Sequence, residues 1–496
     1  MKARFLHVAD CHLGYKQYNK TERYDDFAIA FSYIIDQAIN QSVDFVVLAG
    51  DLFQKRAIEA LTLQQSMALL ERLQQANIPC IAVEGNHELS YYEDYLGWVQ
   101  FLQQRKLLTL LDADFDEGKA ILRQHSGKKG AYVDINPDLR IYGMKYRGSS
   151  TARALAAYAE AIDTFPSTDK PAYNIFIAHT GVEGVLANET GGLSHRQLAT
   201  IRPHVNYLAL GHVHKPFEFD SWIYNPGSPE HCSMTEVAWP ERGYYLVEID
   251  TEKPIHSELA GTESTKNAVE KASTLNDEGE LGDSQEDSQE DSQNEVKPDE
   301  VEIQNCFHVA TLHTNPRRPF VRISIAVDHF GSPDELVEHC KSVVKRKARD
   351  HASRNKSEQR NPVVELRLTG VIPFERSTIQ IKELETIVMD TFDALFVQIR
   401  NQTTSAEFAI NQDKGLSRPQ LERQVMTELL EQDVRYVNSS ETWTNLILSI
   451  KNLALSGAGS ENILHELSEQ LTEIDKGEAQ RRTLEDADEK KEAVAE

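Results

Sequence analysis

The chain has 496 residues, with 52 Lys or Arg against 78 Asp or Glu, and a formal net charge of −26. This length allows about two to four domains, and the acidic balance argues against general, nonspecific affinity for nucleic acid. Because no run of about 18 apolar residues occurs, we expect no membrane span. We also expect no export signal, because polar and charged residues soon interrupt the first apolar run.

The five cysteines are scattered along the chain and form no CxxC pair. This pattern argues against a disulfide framework and against a structural zinc site, and it favours a reducing, cytoplasmic location. Cys11 lies between two candidate metal ligands, but neighbouring residues of an extended segment point to opposite faces. We therefore predict that Cys11 is a small buried residue and not a ligand.

Residues 1–251 alternate apolar runs typical of strands with segments of helical periodicity. The helical pattern is clearest at residues 27–38 and 61–73, and the alternation predicts a layered α/β domain. The five apolar runs that matter most for the site are Phe5 to Ala9, Phe45 to Ala49, Cys80 to Val83, Ile175 to Ala178 and Tyr207 to Leu210.

Metal-ligand residues lie at or just after the end of each of these five predicted strands. Since strand ends gather side chains at one edge of a sheet, we expect the following residues to converge: Asp10, His12, Asp51, Asn86, His87, His179, His212 and His214. Each fragment alone is as often structural as functional, whereas the whole series in this order rarely arises by chance.

An acidic segment at residues 252–304 separates the first domain from the rest of the chain. Within it, Glu258 to Glu302 holds fifteen acidic residues and three lysines, with a repeat of Asp-Ser-Gln-Glu at its centre. It has too few large apolar residues to offset the entropy of ordering, so we predict a disordered spacer. The alternative is an acidic decoy that competes with nucleic acid for a basic surface.

Structure is predicted to resume at residues 305–412 as a small α+β capping domain. It contains a half-buried strand at 320–327, a helix starting near Ser332 or Pro333, and a strand that begins at Val363. Periodicity does not decide whether Leu384 to Phe396 is helix or strand.

Residues 416–475 carry three apolar stripes with helical spacing, and residues 476–496 are predicted to be a disordered tail. The helical region either packs on its own protein or docks on a partner such as a coiled coil.

The predicted helix of the capping domain is basic. Residues 341–360 hold eight Lys or Arg against two acids, and Lys341, Lys345 and Arg349 recur at intervals of four. We predict that this face contacts phosphate backbones, with these residues as the contacts: Lys345, Arg346, Lys347 and Arg349. The alternative is an ordinary solvated helix surface.

The ligand types indicate a pair of divalent cations, and a metal pair indicates hydrolysis of a phosphate ester. Asp51 follows the most apolar strand and is the natural carboxylate to bridge both ions. Because no thiolate is required, Mn²⁺, Fe²⁺ and Zn²⁺ all fit the donor set.

His87 directly follows the ligand Asn86, so we predict that it contacts the phosphate and donates a proton to the leaving oxygen. The alternative for His87 is a capping or packing role beside Glu88.

The series Asp10-Cys-His12, Gly50-Asp51, Gly-Asn86-His87-Glu, His179 and Gly-His212-Val-His214 resembles the signature of the calcineurin-like metallophosphoesterases. The resemblance covers residues 1 to about 250 and implies a layered β-sandwich flanked by helices. Within that family, the chain looks like the SbcD-type DNA repair nuclease subunits. The segments that carry this narrower resemblance are His7 to Gly14, Ala49 to Phe53, Asn225 to Ser228 and Leu366 to Gly370.

The resemblance implies how two Mn²⁺ ions would be shared. One ion would take Asp10, His12, Asp51 and His214; the other would take Asp51, Asn86, His179 and His212. The chain departs from relatives at Gln54, where they often carry a histidine. That departure leaves the ligand set intact and bears on how a DNA end is positioned.

The resemblance also implies a function and partners. We expect a 3′–5′ exonuclease and single-strand endonuclease that processes DNA ends and hairpins in double-strand break repair, as a homodimer with an SbcC-like coiled-coil ATPase. The chain has no Walker motif of its own. One alternative is a phosphodiesterase or phosphatase of the same fold acting on a nucleotide or a phosphoprotein. Another is a non-catalytic assembly module that keeps the metals for stability.

Overall fold

The computed structural model describes residues 1–89, 96–166, 169–186, 192–252, 307–354, 360–406, 418–431, 436, 439–455, 459–461, 463–468 and 471. The predicted spacer at 252–304, apart from Glu252, and the predicted tail at 476–496 lie outside these residues. No helix in this described part is both long and apolar enough to cross a membrane.

Two six-stranded sheets form the first part of the chain. The first has the order β14-β13-β1-β2-β3-β4, and the second has the order β11-β12-β10-β9-β8-β7. The strands of the first sheet are β1 (Lys2–Val8), β2 (Phe45–Leu48), β3 (Cys80–Ala82), β4 (Thr109–Leu110), β13 (Gly243–Asp250) and β14 (His308–Thr314). The strands of the second are β7 (Tyr132–Asn136), β8 (Leu139–Met144), β9 (Tyr173–His179), β10 (Tyr207–Gly211), β11 (Phe217–Phe219) and β12 (Ile223–Asn225).

The two sheets pack face to face, and helices cover their outer faces. The inner core is built from both sheets, with Phe5, Val47 and Ile81 meeting Ile175 and Tyr207. The helices of this part are Thr21–Asn40, Ala60–Gln75, Trp98–Gln104, Thr151–Asp163 and His195–Leu198, and a small hairpin is formed by β5 (Asp114–Asp116) and β6 (Lys119–Ile121). The predicted layered α/β class is therefore confirmed.

Strand β14 comes from beyond the acidic segment. It lies within the range that we predicted for the capping domain, 305–412, yet it pairs antiparallel with β13 and extends the first sheet. His308 explains part of this placement, because its side chain is buried and its ring nitrogens contact the hydroxyls of Tyr173 and Tyr224. The three-stranded capping sheet begins only at residue 320.

The capping sheet has the order β15-β16-β17, with β15 at Phe320–Ala326, β16 at Val363–Ile372 and β17 at Phe396–Ser405. Two helices accompany it, Pro333–Arg354 and Ile381–Phe392. The second helix resolves the ambiguous segment at 384–396. It ends where Asp393 adopts a left-handed conformation (φ 47°), and the next strand starts three residues later.

By compactness the chain divides into two units, one of residues 1–325, 337–368 and 380–401, and one of residues 326–336, 369–379 and 402–496. The second unit contains the helices Arg418–Glu431 and Ser440–Leu455, which agree with the helical prediction for residues 416–475. These helices contact each other through the hydroxyls of Thr427 and Thr444, 3.1 Å apart.

Candidate metal centre

The carboxyl ends of parallel strands from both sheets meet at one place in the first unit. Strands β1, β2 and β3 run parallel in one sheet, and β9 and β10 run parallel in the other. The loops that leave β1, β2 and β3 carry Asp10, Asp51 and Asn86, respectively. His179 is the last residue of β9, and His212 directly follows β10. The strand ends predicted from the sequence thus supply the site.

The eight predicted ligand and catalytic side chains lie together. His12 Nε2 is 3.0 Å from His214 Nε2. Asn86 Oδ1 lies 3.0 Å from His179 Nε2 and 2.9 Å from His212 Nδ1. Asp51 Oδ2 is 3.3 Å from the same His179 nitrogen.

Asp51 stands between two clusters of potential ligand atoms. One cluster contains Asp51 with His12 and His87, and the other contains Asp51 with Asp10 and His179. A third cluster joins His12 to His214 and Cys232, although its thiol is not needed for the hard or borderline donor set. Asp51 belongs to the first two clusters, and its bridging role stays a prediction; the second cluster joins Asp10 to His179, which the resemblance assigns to different ions.

Backbone conformations near the site are unusual. Asp10, His12, Asp51 and His212 all have positive φ, at 54°, 47°, 50° and 95°. Non-glycine residues avoid this region, and such conformations concentrate at functional sites. Each of the four side chains leaves its strand end at a sharp turn of the backbone.

Two glycines permit the close approach of the ligands. Gly50 has φ +87°, and a Cβ there would lie 2.4 Å from Nδ1 of His179. A Cβ on Gly85 would lie 2.1 Å from Asp51 Oδ1. Any larger residue at either position would displace a ligand.

Hydrogen bonds from Nδ1 determine which ring nitrogen of His179 and of His214 faces the site. His179 Nδ1–H donates to Ala49 O over 2.8 Å, and His214 Nδ1–H donates to Glu236 Oε1 over 2.9 Å. In each neutral ring Nε2 then carries a lone pair. These contacts orient the two imidazoles as metal ligands.

His87 is held in a similar way and is more accessible. Its backbone N–H donates to Asp51 Oδ1 over 3.0 Å, and Nδ1–H donates to the carbonyl oxygen of Gln54 over 2.6 Å. Its side chain is 36% exposed, while Nε2 lies 3.9 Å from Asp51 Oδ2. The Gln54 contact uses the main chain, so it does not depend on the side chain at position 54.

The two carboxylates of the site are buried among histidines. Asp10 and Asp51 are buried, and the ion-pair partners of Asp51 among the described residues are all histidines. Burial, together with the charge of Asp51, raises the pKa of Asp10 to about 6. Burial also acts on Asp51, but the neighbouring His179 and His12 outweigh it and hold the pKa of Asp51 below its usual range.

The four ligand imidazoles differ in their pKa. Against the effect of burial, Asp51 raises the pKa of His179 to about 9, and Cys232 and Glu236 hold the pKa of His214 well above its usual range. Burial, assisted by His214, lowers the pKa of His12 to about 3, and burial beside His179 lowers that of His212 to about 4. Both rings are therefore neutral near pH 7, as metal ligands must be. His12 Nδ1 is buried and has no hydrogen-bond partner among the described residues. The donor set fits two divalent cations.

Three further residues support the site and were not predicted. Glu236 orients His214, and Glu88 accepts hydrogen bonds from the backbone N–H groups of Phe53 and Gly85, each over 3.0 Å. The ring of Tyr146 lies 5.4 Å from that of His212. Glu88 belongs to a segment that the sequence singled out, but nothing in the sequence marks Glu236 or Tyr146.

The predicted DNA contacts lie elsewhere. Lys345, Arg346, Lys347 and Arg349 are exposed on the helix Pro333–Arg354. Within the described residues, none of the four forms a hydrogen bond or ion pair with a ligand of the metal centre, so their role remains a prediction.

Comparison with known proteins gives an independent view. Residues 3–216 match the family model described as Calcineurin-like phosphoesterase. Three relatives, each described as "DNA double-strand break repair protein Mre11", illustrate the range of similarity. The relative from Saccharolobus solfataricus is 24% identical, over 95% of this chain and 99% of its own length.

The other two relatives are more similar over shorter stretches. The Halobacterium salinarum protein is 48% identical over 50% of this chain and 57% of its own length. The Haloferax volcanii protein is 40% identical, over 49% of each chain. In these two alignments the chain spans about half the length of the relatives that it matches.

Proposed function

We propose that the protein is a metal-dependent nuclease that processes DNA ends, from the premise that residues 3–216 match the model of the calcineurin-like phosphoesterases. The observation that carries this proposal is the convergence of two buried carboxylates, an amide and four imidazoles around Asp51, with His87 at the exposed side. Relatives named as DNA double-strand break repair proteins support DNA as the substrate.

In this proposal the ligands divide around Asp51. Asp10, His12, Asp51 and His214 would hold one cation, and Asp51, Asn86, His179 and His212 would hold the other. Two bound divalent cations, with Mn²⁺ as the proposed metal, would neutralise phosphate oxygens and make a water molecule more acidic. Glu236 and the carbonyl of Ala49 keep His214 and His179 in the orientation that this requires.

His87 would act on the leaving group. Its Nδ1–H is committed to the carbonyl of Gln54, so Nε2 is the atom available to a substrate. In the imidazolium form this nitrogen carries a proton, which it can donate to the departing alkoxide oxygen. The partial exposure of His87 gives a phosphodiester access to that atom.

The type of nuclease activity, its location and the DNA contacts are proposed from the resemblance to the SbcD-type nucleases. We propose 3′–5′ exonuclease and single-strand endonuclease activity in double-strand break repair, in a reducing cytoplasm, with the exposed basic residues of the helix Pro333–Arg354 contacting phosphates. The domain limits 1–251, 305–412 and 416–475 stay part of this proposal, with β14 added to the first.

Exposed apolar side chains support two protein partners. Leu61, Leu96 and Trp98 are 56%, 42% and 39% exposed in the first unit, and a second copy of the chain would cover exposed apolar side chains of this kind in the homodimer that we propose. Leu429, Leu455 and Leu464 are 53%, 75% and 63% exposed in the C-terminal helical region. We assign these three to the docking of an SbcC-like coiled-coil ATPase.

The test is digestion of end-labelled blunt duplexes and hairpins with Mn²⁺, beside small phosphodiesters and a phosphoprotein. We expect cleavage of the DNA, and we expect His87→Ala to lose turnover while it still binds Mn²⁺. Hydrolysis of the small diesters or the phosphoprotein with intact DNA would assign the alternative substrates. Full activity of His87→Ala would remove its proposed role.

A further inference from the structure

The capping sheet presents two different faces. Successive side chains of a strand alternate between the faces of a sheet, and one face here is apolar and buried, with Ile323, Leu366 and Leu368 all at most 1% exposed. The other face begins with Phe320 on β15, Val363 on β16 and Phe396 on β17. These two faces meet different surroundings.

The first residues of the second face, Phe320, Val363 and Phe396, pack against the phosphoesterase domain. Phe320 and Val363 form one buried cluster with Met234. The ring of Phe396 stacks on Tyr18 with centroids 4.0 Å apart and an interplanar angle of 11°. This face of the capping sheet is therefore the one turned toward the phosphoesterase domain.

Three arginines lie on the same face, because each is two or four residues along its strand from Phe320, Val363 or Phe396. Arg322 is two residues beyond Phe320, Arg367 is four beyond Val363, and Arg400 is four beyond Phe396. They surround Glu365, which is fully buried. Arg322 Nε, Arg400 Nε and Arg367 Nη2 donate to its carboxylate over 2.7, 2.8 and 3.1 Å, respectively.

Three guanidinium groups exceed what one carboxylate can neutralise. Glu365 is the carboxylate that pairs with all three among the described residues, so the cluster carries a net charge of +2. The side chains of Arg322, Arg367 and Arg400 are 23%, 29% and 49% exposed. Arg367 Nε is buried and has no hydrogen-bond partner in the part of the chain that the structure describes, so solvent does not reach it. The exposed parts of the three side chains, above all that of Arg400, are accessible to an anion from solvent.

We propose that this arginine cluster binds the phosphodiester backbone of the nucleic acid as it passes from the metal centre onto the capping sheet. The inference rests on the proposed nuclease function and adds a binding site to it. A guanidinium group matches two phosphate oxygens at once, which makes arginine effective in such a site. Glu365 holds the three guanidinium groups in a common orientation before a phosphate binds.

The cluster is connected to the metal centre through one loop. Arg322 Nη2 donates to the carbonyl oxygen of Met234 over 2.9 Å. Two residues further on, Glu236 accepts the hydrogen bond from His214. The loop that orients one predicted metal ligand through Glu236 thus also contacts the arginine cluster through Met234.

The experiment measures binding of the full-length protein with Mn²⁺ to a fluorescent duplex whose phosphorothioate linkages resist cleavage but keep their charge. The variant Arg367→Gln/Arg400→Gln should lower the affinity about tenfold at 0.1 M salt, and the slope of log K against log salt should fall by about 2. Arg400→Lys should retain most of the slope, because the charge remains.

Arg4→Gln is the matched control. Arg4 is 42% exposed and pairs with Glu248, yet it lies on β1, near the end of the strand opposite to Asp10. It should bind the duplex like the wild type. Far-UV circular dichroism and a thermal melt identify misfolded variants, and Arg400→Gln alone, at the most exposed of the three positions, provides a milder change that should lower the slope by about 1.

The outcomes separate this site from the function on which it rests. If the wild type cleaves DNA but folded Arg367→Gln/Arg400→Gln keeps its affinity and salt slope, the cluster only neutralises Glu365 and the inference is overturned. If the wild type neither cleaves nor binds DNA, the proposed function fails and the site fails with it. A lower slope in the variants and an unchanged slope in Arg4→Gln support the site.

Discussion

His12 and His214 face each other with their Nε2 atoms 3.0 Å apart, although 202 residues separate them in the chain. His214 donates its Nδ1 proton to Glu236, so Nε2 is the ring nitrogen that faces His12. Burial, assisted by His214, lowers the pKa of His12 to about 3, so the His12 ring is neutral near pH 7. The two Nε2 atoms are aimed at one point, as two ligands of a shared cation would be.

Glu236→Gln should weaken metal binding without removing a ligand. The substitution removes the charge that holds the His214 ring, and loss of such a supporting contact typically costs about 10–100-fold in metal affinity. Titration with Mn²⁺, followed by calorimetry, measures the effect. Glu248→Gln, on the exposed side of β13, is the control and should bind Mn²⁺ like the wild type. Equal affinities for all three proteins would contradict the orienting role of Glu236.

Gly85→Ala should abolish Mn²⁺ binding at the position of Asp51. The added methyl group would lie 2.1 Å from Asp51 Oδ1, so the carboxylate has to move. Gly331→Ala is a matched change, because its methyl group would meet nothing closer than 3.7 Å. Nuclease assays and Mn²⁺ titration should separate the two variants, and a fully active Gly85→Ala would show that Asp51 need not stay where the structure places it.

The sequence predicted the strands of the site because apolar runs and glycines mark them. Predicted and observed limits agree within about three residues, from Phe45 to Ala49 against Phe45–Leu48, for example. The ligand residues were predictable for the same reason, since each one follows such a strand. Apolar runs followed by potential ligand residues therefore located the strand ends that meet at the candidate site.

The residues that support the ligands could not be predicted in this way. Glu236 lies in a 3₁₀ segment, Met234–Ala238, with no periodic pattern, and its role depends on the position of His214 across a loop. The residues of strand β14 were assigned to the capping domain because they follow the acidic segment directly, and no strand was predicted there. Its pairing with β13 is a contact between distant parts of the chain, which local patterns do not report.

Asp26→Asn should destabilise the fold strongly. Asp26 is 1% exposed and accepts hydrogen bonds from Arg23 over 2.7 Å and from Arg318 over 2.6 and 3.1 Å. Breaking a buried ion pair leaves buried charges without compensation and costs about 3–5 kcal/mol. Chemical denaturation measures the loss.

Asp36→Asn is the control for this change. Asp36 lies on the same helix, Thr21–Asn40, and pairs with Arg72 at the surface with its side chain 49% exposed. Its loss should cost less than about 1 kcal/mol. Similar losses for the two variants would mean that the buried network contributes no more than a surface pair.

Stability should fall as the pH drops from about 6.5 toward 4, partly because of His308. Burial, with a smaller contribution from Arg202, lowers the pKa of His308 from 6.5 to about 4 in the folded chain. Below pH 6.5 the unfolded chain gains a proton that the folded chain does not take up, so acid favours unfolding. At pH 5 this amounts to about 2 kcal/mol.

His308→Gln removes this titration and tests its size. Denaturation at pH 7.5 and pH 5 should show that the variant loses about 2 kcal/mol less on acidification than the wild type does. The comparison uses each protein's own stability at pH 7.5 as the reference, so the cost of the substitution itself cancels. Identical acid losses in both proteins would contradict the low pKa of His308.

The most direct test of the whole account is the number of Mn²⁺ ions bound by the wild type and by Asp51→Asn. Asp51 contributes to two of the ligand clusters, with His12 and His87 on one side and with Asp10 and His179 on the other. We expect two ions per wild-type chain and at most one tightly bound ion in Asp51→Asn, together with loss of DNA cleavage. Two tightly bound ions and undiminished cleavage in the variant would contradict a centre built around this carboxylate.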